Sequence, residues 1–510
     1  MHFLRLGTGV ATAAGVALLV VAGGLGSGAH AQSGRSDLIM IPGGNDPGTW
    51  HVVNSGISDT IRPIYYNVIE PLLLLTPGGD FKPGLAESWT VSDDGLALTF
   101  RLRDVKFHNG EPVAADDVVF SLNAWAASPV ARSRGPFAVM ESAAATDDHT
   151  VVITLKRPSR TFLRAMAERQ GMVLDASSYE NLAGHVVGTG PYVFDEYVQD
   201  SHLRLVRNPD YWGEAPAIET VTVRFIPDAT AGISAMLAGE ADAYLGMFPE
   251  TYERIITMGL DRQFRVTAFD AGGLAGIMRL NRFRPPLSDI RLRQAVAHAL
   301  DRKSIVAVFG ADYAFTPACT YGTSADPWFR PESPETCAYP APDRDRAKAL
   351  LAEAGYDGTP LVFSYINTWA EAEIISAQLE AAGFVVQRDP RERSNFSTSI
   401  IGIIPPPTDI NMTYTTAPLA SFATSNPDAN YTYNEAFNQL VQEAERAATT
   451  EAYNDLMTRA NRVLDEDAVI VTFTTRSHVG IMSKDLVGWE ETFFGLGESR
   501  FDFPSVRWRD

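Results

Sequence analysis

The sequence has few cysteines and a shortage of positive charge, and both absences exclude classes of protein. Its 510 residues include two cysteines, and 62 Asp and Glu against 42 Lys and Arg give a formal net charge of −20. This balance argues against a nucleic-acid partner and against a basic protein of the membrane surface. Because neither cysteine stands in a CxxC pair or beside clustered histidines, the pattern gives only weak support to a zinc site.

The two cysteines are Cys319 and Cys337, which flank a segment rich in Gly, Pro and Ser. In an oxidising compartment they predict one local disulfide. The chain-entropy model gives a loop of this length a stabilisation of about 3 kcal/mol. Two free buried thiols are the alternative.

Long apolar runs are absent after residue 31, so no later segment is expected to span a membrane. Residues 1–31 instead have the pattern of a secretory signal peptide, with Arg5, an apolar stretch at 10–22 and an A-x-A motif that ends at Ala31. No cysteine stands at that point to carry a lipid. We therefore expect cleavage after Ala31 and a free protein in a bacterial periplasm, with an uncleaved membrane anchor as the alternative.

Familiar catalytic motifs are absent as well: there is no G-x-S-x-G, H-E-x-x-H, Walker or G-x-G-x-x-G motif. Acidic pairs at 93–94, 116–117 and 147–148 are predicted at a turn, a helix start and a hairpin tip. They are therefore not the two carboxylates that a glycosidase brings into one cleft. His108 and His298 are more simply structural than metal-ligating. We expect no enzymatic activity and no cofactor, with a secreted hydrolase as a remote alternative.

Hydrophobic patterning is typical of a mixed α/β chain. The composition, 45% hydrophobic and 20% charged, is that of a globular protein, and the length favours about three domains or lobes. Apolar alternation and short apolar runs predict strands at 38–41, 96–103, 150–155, 203–206, 220–226 and 468–474. Helical spacing predicts helices at 229–239, 289–300, 344–355, 372–382, 435–447 and 451–464. We expect Asp228, Ser288 and Asp343 to cap the first three helices. Because strands and helices interleave, the fold class is α/β.

Four segments resemble the signatures of one family. They are GLAESWTVSDDGLALTFRLRDVKFHNGEPVAADDVVFSLNAW at 84–125, VGTGPYVFDEYVQDSHLRLVRNPDYWG at 187–213, LNRFRPPLSDIRLRQAVAHALDRKSIV at 280–306 and PDRDRAKALLAEAGYDG at 342–358. In order and spacing they resemble the family 5 extracellular solute-binding proteins, the peptide- and nickel-binding components of ABC importers. Four segments in register over about 275 residues are far more specific than any single motif.

The resemblance implies a bilobed type II periplasmic-binding-protein fold with an extra inserted subdomain. The implied boundaries are 36–58, 186–268 and 486–510 for a discontinuous first lobe, 59–185 for the inserted subdomain, and 269–485 for the second lobe. A small solute would bind in the cleft between the lobes, and closure would present it to the membrane permease of an ABC importer. The resemblance also implies a monomer. Gly188 and Gly190, where the chain bends into a strand, are the expected hinge residues.

The second lobe departs from the peptide binders of this family. In those proteins an aspartate after a strand holds the ammonium group of the peptide. The matching stretch here is 409–422, with Ala417 or Pro418 at the aspartate position and Asp409 as the nearest acid, at the start of the strand. Since a buried ammonium without a charge partner is strongly destabilised, we do not expect a free peptide amino terminus in the usual pose.

Arginines point to an anionic group on the ligand. They are Arg388, Arg391 and Arg393, where peptide binders often carry an aromatic residue, and Arg132 and Arg134, in a part of the inserted subdomain that touches the ligand in the family. Arginine suits bidentate recognition of a carboxylate or a phosphate. A solvated surface, with each arginine paired to a neighbouring acid, is the alternative.

The complete set of expected ligand-binding residues combines these positions with others that match the family. It comprises Asn54, Ser55, Arg132, Met247, Phe248, Tyr365, Asn367, Trp369, Arg393, Tyr414, Thr415 and Thr416. Such a mixture suits a small-molecule pocket, although each aromatic residue could equally belong to a core. We expect a periplasmic protein that delivers a peptide or peptide-like solute to an ABC transporter. If the arginines bind the solute, it carries an anionic group. The alternatives are a nickel or metal chelate, an opine or another carboxylated molecule.

Overall fold

The computed structural model describes most of the chain between residues 35 and 509. The described residues are 35–43, 45–54, 62–76, 78–247, 254–308, 315–322, 326–330, 336–392, 404, 407–415, 419–423, 434–488 and 503–509. Within these ranges, none of the helices combines the length and the apolar character that a bilayer crossing requires. The predicted signal peptide, 1–31, lies outside the described residues.

The strands include those predicted from the apolar pattern and extend well beyond them. In chain order they are β1 Asp37–Ile41, β2 Leu73–Leu75, β3 Phe81–Pro83, β4 Ala86–Val91, β5 Ala97–Leu102, β6 Met140–Asp147, β7 Thr150–Leu155, β8 Tyr192–Val198, β9 His202–Arg207, β10 Thr220–Arg224, β11 Ala243–Met247, β12 Arg265–Leu280, β13 Phe315–Pro317, β14 Leu361–Ile366, β15 Val386–Arg391, β16 Ile410–Thr415, β17 Ile470–Met482, β18 Leu486–Val487 and β19 Arg507–Trp508. The strand predicted at 468–474 is the first half of β17. Its second half is rich in polar residues, which an apolar pattern does not detect.

The helices begin and end close to the predicted residues. They are α1 Arg62–Tyr65, α2 Ala115–Ala126, α3 Ala131–Arg134, α4 Arg160–Ala165, α5 Ala229–Leu237, α6 Ile290–Ala299, α7 Arg302–Ala307, α8 Arg344–Ala354, α9 Glu371–Ala382, α10 Glu435–Ala444 and α11 Thr450–Asp467. Asp228 and Asp343 cap α5 and α8 as predicted, each accepting a backbone N–H at 2.8 Å. The cap predicted at Ser288 is wrong, because Asp289 caps α6 by accepting the N–H of Arg291 at 2.9 Å.

One mixed sheet of eleven strands runs through the described part of the molecule. Its order is β15-β14-β16-β12-β17-β11-β1-β10-β9-β8, and β13 pairs with β17 outside this path. The two central strands are also the two longest, β12 and β17. We call the part built on β1 and β8 to β11 the first lobe, and the part built on β13 to β16 the second lobe.

The central strands β12 and β17 belong to both lobes. They are antiparallel, and Arg265 pairs with Met482 at the first-lobe end while Arg279 pairs with Ile470 at the second-lobe end. Strand β11 flanks β17 at the first end, and β16 flanks β12 at the second. The register of the central pair shifts between Phe269 and Leu274, in the stretch between the flanking strands. The lobes are therefore joined by two continuous, hydrogen-bonded strands.

Residues 62–185, the inserted region, contain a four-stranded sheet of order β4-β5-β7-β6 and a separate β2-β3 pair. The buried side chains of this region, among them Phe100, Trp125 and Val151, belong to the same apolar cluster as Leu38 and Trp508 of the first lobe. The inserted region therefore shares a core with the first lobe. The second lobe has its own clusters, one on each side of its part of the sheet.

A buried carboxylate ties the inserted region to both ends of the segment at 187–213, which contains GTGPY at 188–192 and NPDYWG at 208–213. Glu70 is 5% exposed and accepts hydrogen bonds from Thr189 Oγ1 at 2.8 Å, Tyr211 Oη at 2.9 Å and Trp212 Nε1 at 2.8 Å. A buried charge is tolerated when several donors satisfy it. The GTGPY and NPDYWG motifs thus serve the fold.

The hinge expected at Gly188 and Gly190 is not where the chain passes between the lobes. A Cβ atom on Gly188 would lie 1.9 Å from the carbonyl oxygen of Val68, and one on Gly190 would lie 2.5 Å from that of Asn67. Both glycines therefore permit close backbone packing inside the first lobe. The chain crosses between the lobes in β12 and β17.

Cys319 and Cys337 are joined by a disulfide with a Cα–Cα distance of 5.6 Å. The carbonyl of Cys337 accepts Arg462 Nη1 at 2.6 Å, and the N–H of the next residue, Ala338, donates to Asp465 at 2.5 Å. The bridge thus links Cys319 to residues 337 and 338, which are hydrogen-bonded to α11.

His108 gives the fold a dependence on pH. Its ring lies between the two glycines, where Nδ1 accepts the N–H of Gly188 at 3.3 Å and Nε2 donates to the carbonyl of Gly190 at 2.9 Å. Burial lowers the pKa of His108 from 6.5 to about 4. The unfolded chain therefore takes up this proton below about pH 6.5, while the folded protein does so only near pH 4, and stability rises with pH across that window.

We predict that His108 accounts for up to about 3 kcal/mol of the unfolding free energy lost between pH 6.5 and pH 4. The His108→Gln variant should show a shallower dependence in that window, because its amide stays neutral and can still donate to Gly190. Urea unfolding of both proteins at several pH values gives their unfolding free energies. Subtracting one from the other at each pH cancels the contribution of the carboxylates, which both proteins share. Parallel curves would contradict the prediction.

Candidate functional site

The carboxyl ends of parallel strands from both lobes meet at one place. In the first lobe β1 runs parallel to β10 and β11, and the end of β11, Met247, pairs with Val479 near the middle of β17. In the second lobe β14 runs parallel to β15 and β16, and the end of β16, Thr415, pairs with Ala275 near the middle of β12. In open α/β sheets, ligands bind in the crevice outside the carboxyl ends of the strands. The ligand crevice is therefore expected between the two edges, over the middle of β12 and β17.

Aromatic side chains lie at the second-lobe edge of this expected crevice, and we call them the aromatic wall. The rings of Trp369 and Tyr414 meet edge to face, with centroids 5.2 Å apart, and the Tyr414 ring lies 6.0 Å from that of Phe473. Tyr414 Oη donates to Glu371 Oε1 at 2.6 Å, and Glu371, the first residue of α9, is 2% exposed. These contacts fix the plane of the Tyr414 ring.

Arg476 places a positive charge in the middle of β17. Its guanidinium carbon lies 4.6 Å from the centroid of the Tyr414 ring, and Arg476 is 8% exposed. Strand register puts it opposite Leu274 of β12 and Phe315 of β13. The stack combines a cation–π contact with a position between the two lobes. Sequence reasoning missed this residue, although an arginine within an otherwise apolar and threonine-rich strand was a usable signal.

Gly276 makes room for the Tyr414 ring. A Cβ atom at this position would lie 2.6 Å from Thr474 Cγ2 and 2.9 Å from Tyr414 Cε1. Gly276, Tyr414 and Thr474 pair side by side across β16, β12 and β17, so they share one face of the sheet. Any larger residue would displace the aromatic wall.

The other expected ligand-binding residues whose side chains are described differ in exposure. Trp369 and Thr415 are buried at 7% and 8% exposure, and Tyr365 is buried at 3% within β14. Tyr365 Oη donates to Glu373 at 2.5 Å, and burial together with that carboxylate raises the pKa of Tyr365 to about 12. Asn367 is exposed and donates to Glu392 at 3.1 Å. Asn54, from the first lobe, is exposed and shares a 3.0 Å hydrogen bond with His51.

Other expected residues cannot be placed at the level of their side chains. Arg132 lies in α3 and Met247 ends β11, and only their backbone positions are described. The remaining four, Ser55, Phe248, Arg393 and Thr416, lie outside the described residues.

The arginines that suggested an anion site are mostly paired. Arg388 contacts Glu373 at 2.9 Å and Glu380 at 2.6 Å, which raises its pKa. Arg391 contacts Asp389 at 2.6 Å, and Arg134 donates to the carbonyls of Ser128 and Pro129. For these three arginines the alternative of a locally paired surface fits the structure better than an anion site.

The site offers recognition by shape and charge, and no arrangement for metal binding is found in the part of the chain that the structure describes. There, no three His, Cys, Asp or Glu side chains group closely enough to hold a metal ion. Asp409 is the acid nearest in sequence to the position at which related peptide binders carry an aspartate. It lies just before β16, at the end of that strand opposite Thr415. It accepts the N–H of Val362 at 2.9 Å and contacts Arg284 at 3.4 Å.

Comparison with known proteins identifies the family of this chain. The family sequence model described as bacterial extracellular solute-binding proteins, family 5 Middle, matches residues 80–439, well over half of the chain. The chain belongs to this family. The resemblance found in the four sequence segments is thereby confirmed.

Three curated relatives of this family 5 protein carry different names. The heme-binding protein A of Haemophilus influenzae is 33% identical over 312 residues, which are 54% of this chain and 54% of that protein. The di/tripeptide-binding protein 2 of Pseudomonas aeruginosa is 31% identical over 347 residues, 60% of this chain and 62% of that protein. The nickel-binding periplasmic protein of Escherichia coli is 32% identical over 368 residues, 64% of this chain and 66% of that protein. The matches thus span between about half and two thirds of the lengths of these relatives.

Solved structures establish the fold of the family 5 chain. An ABC transporter substrate binding protein, CtaP, from Listeria monocytogenes superposes with a TM-score of 0.78 at 23% identity and covers 93% of this chain and 100% of its own. HbpA2 from Haemophilus parasuis gives a TM-score of 0.76 at 23% identity, with the same coverage. These neighbours confirm the predicted type II periplasmic-binding-protein fold.

We predict that the hydroxyl of Tyr414 stabilises the protein more than that of Tyr365. The Tyr414→Phe variant removes a donor from the buried carboxylate of Glu371 and should lower the unfolding free energy by about 1–3 kcal/mol. The matched Tyr365→Phe variant removes a donor from Glu373, whose side chain is 58% exposed and stays hydrated, so its loss should be smaller. Chemical unfolding of both variants measures the two losses, and equal losses would count against a buried Glu371 at the crevice.

Proposed function

We propose that this protein captures a small solute in the crevice between its lobes and delivers it to the permease of an ABC importer. The observation that carries this proposal is that two sets of parallel strands, one in each lobe, direct their carboxyl ends at the middle of β12 and β17. The relatives named as binding proteins and as ABC transporter components support it. No catalytic role is proposed.

Closure of the crevice is the proposed mechanism. A solute that contacts both lobes does so fully only when the lobes approach, so binding favours the closed arrangement by the difference in affinity. The proposed pivot is the register shift between Phe269 and Leu274, where the two lobes are linked by the central strand pair. The permease would then distinguish the closed, loaded form from the open one.

The proposed solute is a peptide or a peptide-like compound that carries an anionic group. Arg476 is the proposed anchor for that group, because it lies over the Tyr414 ring in the middle of the crevice. A guanidinium held over an aromatic ring has restricted freedom, and its planar N–H fork suits a carboxylate. Trp369, Tyr414 and Thr415 are proposed to line the same wall, with the remaining predicted residues around them.

A carboxylated compound other than a peptide is the second candidate. The stretch that holds the peptide ammonium in related binders has no acid at the matching position here, and Asp409 is engaged at the far end of β16. An opine or a metal chelate held through its carboxylates needs no such acid. One relative is named as a nickel-binding periplasmic protein, and a structural neighbour holds Fe(III)-EDTA.

The proposed location is the periplasm, after removal of residues 1–31. The sequence pattern of a signal peptide supports this, as does the name of the E. coli relative.

The experiment is thermal unfolding of ligand-stripped protein against a paired panel. The panel holds di- to pentapeptides, the same peptides N-acetylated, free carboxylic acids, opines and nickel chelates. A solute at 100 times its dissociation constant adds about 2.7 kcal/mol, which moves the midpoint by a few degrees in a chain of this size. We expect acetylated peptides or plain carboxylates to raise the unfolding midpoint as much as free peptides do. A requirement for the free amino group would show that an acid holds it.

We predict that Arg476→Gln abolishes the shift given by carboxylated compounds, because the variant keeps a polar side chain but loses the charge. The matched control is Arg459→Gln, since Arg459 is 57% exposed on α11 and pairs with Asp455 at 3.6 Å. The control should respond as the wild type does. Unchanged shifts in the Arg476 variant would remove Arg476 from the site.

A further inference from the structure

A set of polar contacts joins the two lobes at a second place, apart from β12 and β17. It connects residues 159–161, at the start of α4 in the inserted region, with Glu445 and Thr450, at the end of α10 and the start of α11. We call these contacts the interlobe clasp. No residue of the clasp belongs to the set expected to bind the ligand.

Glu445 is the centre of the clasp. Its carboxylate, on a residue that is 9% exposed, accepts Ser159 Oγ at 2.7 Å and the N–H of Thr161 at 3.0 Å, and it also accepts the hydroxyl of Thr161. The N–H of Arg160 donates to the carbonyl of Glu445 at 3.1 Å. One carboxylate from the second lobe thus satisfies several donors of the other lobe, and hydrogen bonds to charged groups are the stronger kind.

Arg160 adds a second group of contacts between the lobes. Its guanidinium carbon lies 5.3 Å from the ring of Phe81 in its own region and 5.3 Å from the ring of Tyr453 in the second lobe. Its Nη2 donates to Thr450 Oγ1 at 2.5 Å. The guanidinium is therefore held between aromatic rings of opposite lobes.

The clasp lies at the start of α11, far from the end at which that helix meets β17. Helix α11 ends at Asp467, next to the start of β17. At 1.5 Å per residue, its 18 residues separate Thr450 from that end by about 27 Å along the helix axis. Rotation about the register shift in β12 and β17 would therefore change the distance between α4 and α11.

The junction around the clasp combines polar contacts with an opening to solvent. Phe81, Arg160, Arg164, Trp328 and Tyr453 are among the residues that line this opening. The buried apolar clusters of the inserted region and of the second lobe remain separate. Polar junctions between separate apolar cores are typical of parts that move relative to each other.

We propose that the interlobe clasp holds the ligand-free protein in its closed form and so regulates solute capture. Opening the crevice must expose the Glu445 carboxylate and release Arg160 from Thr450 and Tyr453. Because the apparent affinity of a binding protein depends on the populated fraction of its binding-competent form, the clasp changes affinity by the same factor for every solute. This differs from the action of Arg476, which is expected to select among solutes. The clasp does not depend on which solute binds, and its failure would leave the proposed function intact.

The test is small-angle X-ray scattering of the full-length, ligand-free mature protein. Glu445→Gln directs an amide N–H₂ group toward existing donors, and Thr161→Val removes the facing hydroxyl at nearly constant shape. Both variants should have a larger radius of gyration than the wild type. The matched control is Glu443→Gln, because Glu443 lies on the same helix and contacts Gln439 at 3.0 Å. The control should scatter as the wild type does.

A second measurement keeps the result independent of overall shape and of folding defects. Spin labels at Lys82 and Glu451, both exposed and on opposite sides of the junction, report the distance between α11 and the inserted region. In Glu445→Gln and Thr161→Val, we expect the population of longer distances to increase, with thermal unfolding still cooperative. Unchanged radii and distances in both variants would overturn the proposal. A lower melting temperature with unchanged distances would show a static interface and would overturn it as well.

Discussion

The continuity of β12 and β17 through both lobes is the constraint on which the rest of the structure depends. Because these strands are hydrogen-bonded to each other in each lobe, the lobes cannot slide apart, and their relative motion is limited to bending and twisting near the register shift at 269–274. The same continuity directs the carboxyl ends of β11 and β16 toward one another. A crevice between two lobes is thus a consequence of strand order and needs no special loop.

Charged groups at the crevice and at the junctions are placed by buried contacts. Glu70 holds the inserted region to the first lobe, Glu371 orients Tyr414, and Glu445 joins the inserted region to the second lobe. In each case a carboxylate with little exposure accepts hydrogen bonds from side chains far away in sequence. Removing one donor from such a group is costly because the charge stays buried. The acidic composition therefore contributes specific long-range contacts in addition to solubility.

Much of the fold could be predicted from sequence, because its signals are local. Apolar alternation located β5 and β7, and caps such as Asp228 and Asp343 located helix starts. The apolar pattern did not predict the second half of β17. This strand is paired on both sides, and its formation depends on that pairing more than on an apolar sequence.

The candidate site was less predictable, because its members come together only through strand register. Arg476 and Tyr414 are separated by more than sixty residues and meet through β12, which lies between their strands. The arginines at 388 and 391 looked suitable as anion ligands in sequence, and only the neighbouring acids in space show that they are paired. The expected hinge at Gly188 was misplaced for the same reason, because its close neighbour, Val68, lies 120 residues earlier in the chain.

The way the chain closes the first lobe has a consequence for the timing of folding. Trp508 Nε1 donates to the carbonyl of Asp37 at 2.9 Å across 471 residues of sequence, and the N–H of Phe503 donates to Asn67 at 3.1 Å across 436. Strand β17 adds the pairing of β11 only after the whole second lobe has been made. Contacts of such long sequence separation form late, since loop closure must precede them. The first lobe therefore stays incomplete until residues 503–508 have been made, so its folding cannot finish before that of the second lobe can begin.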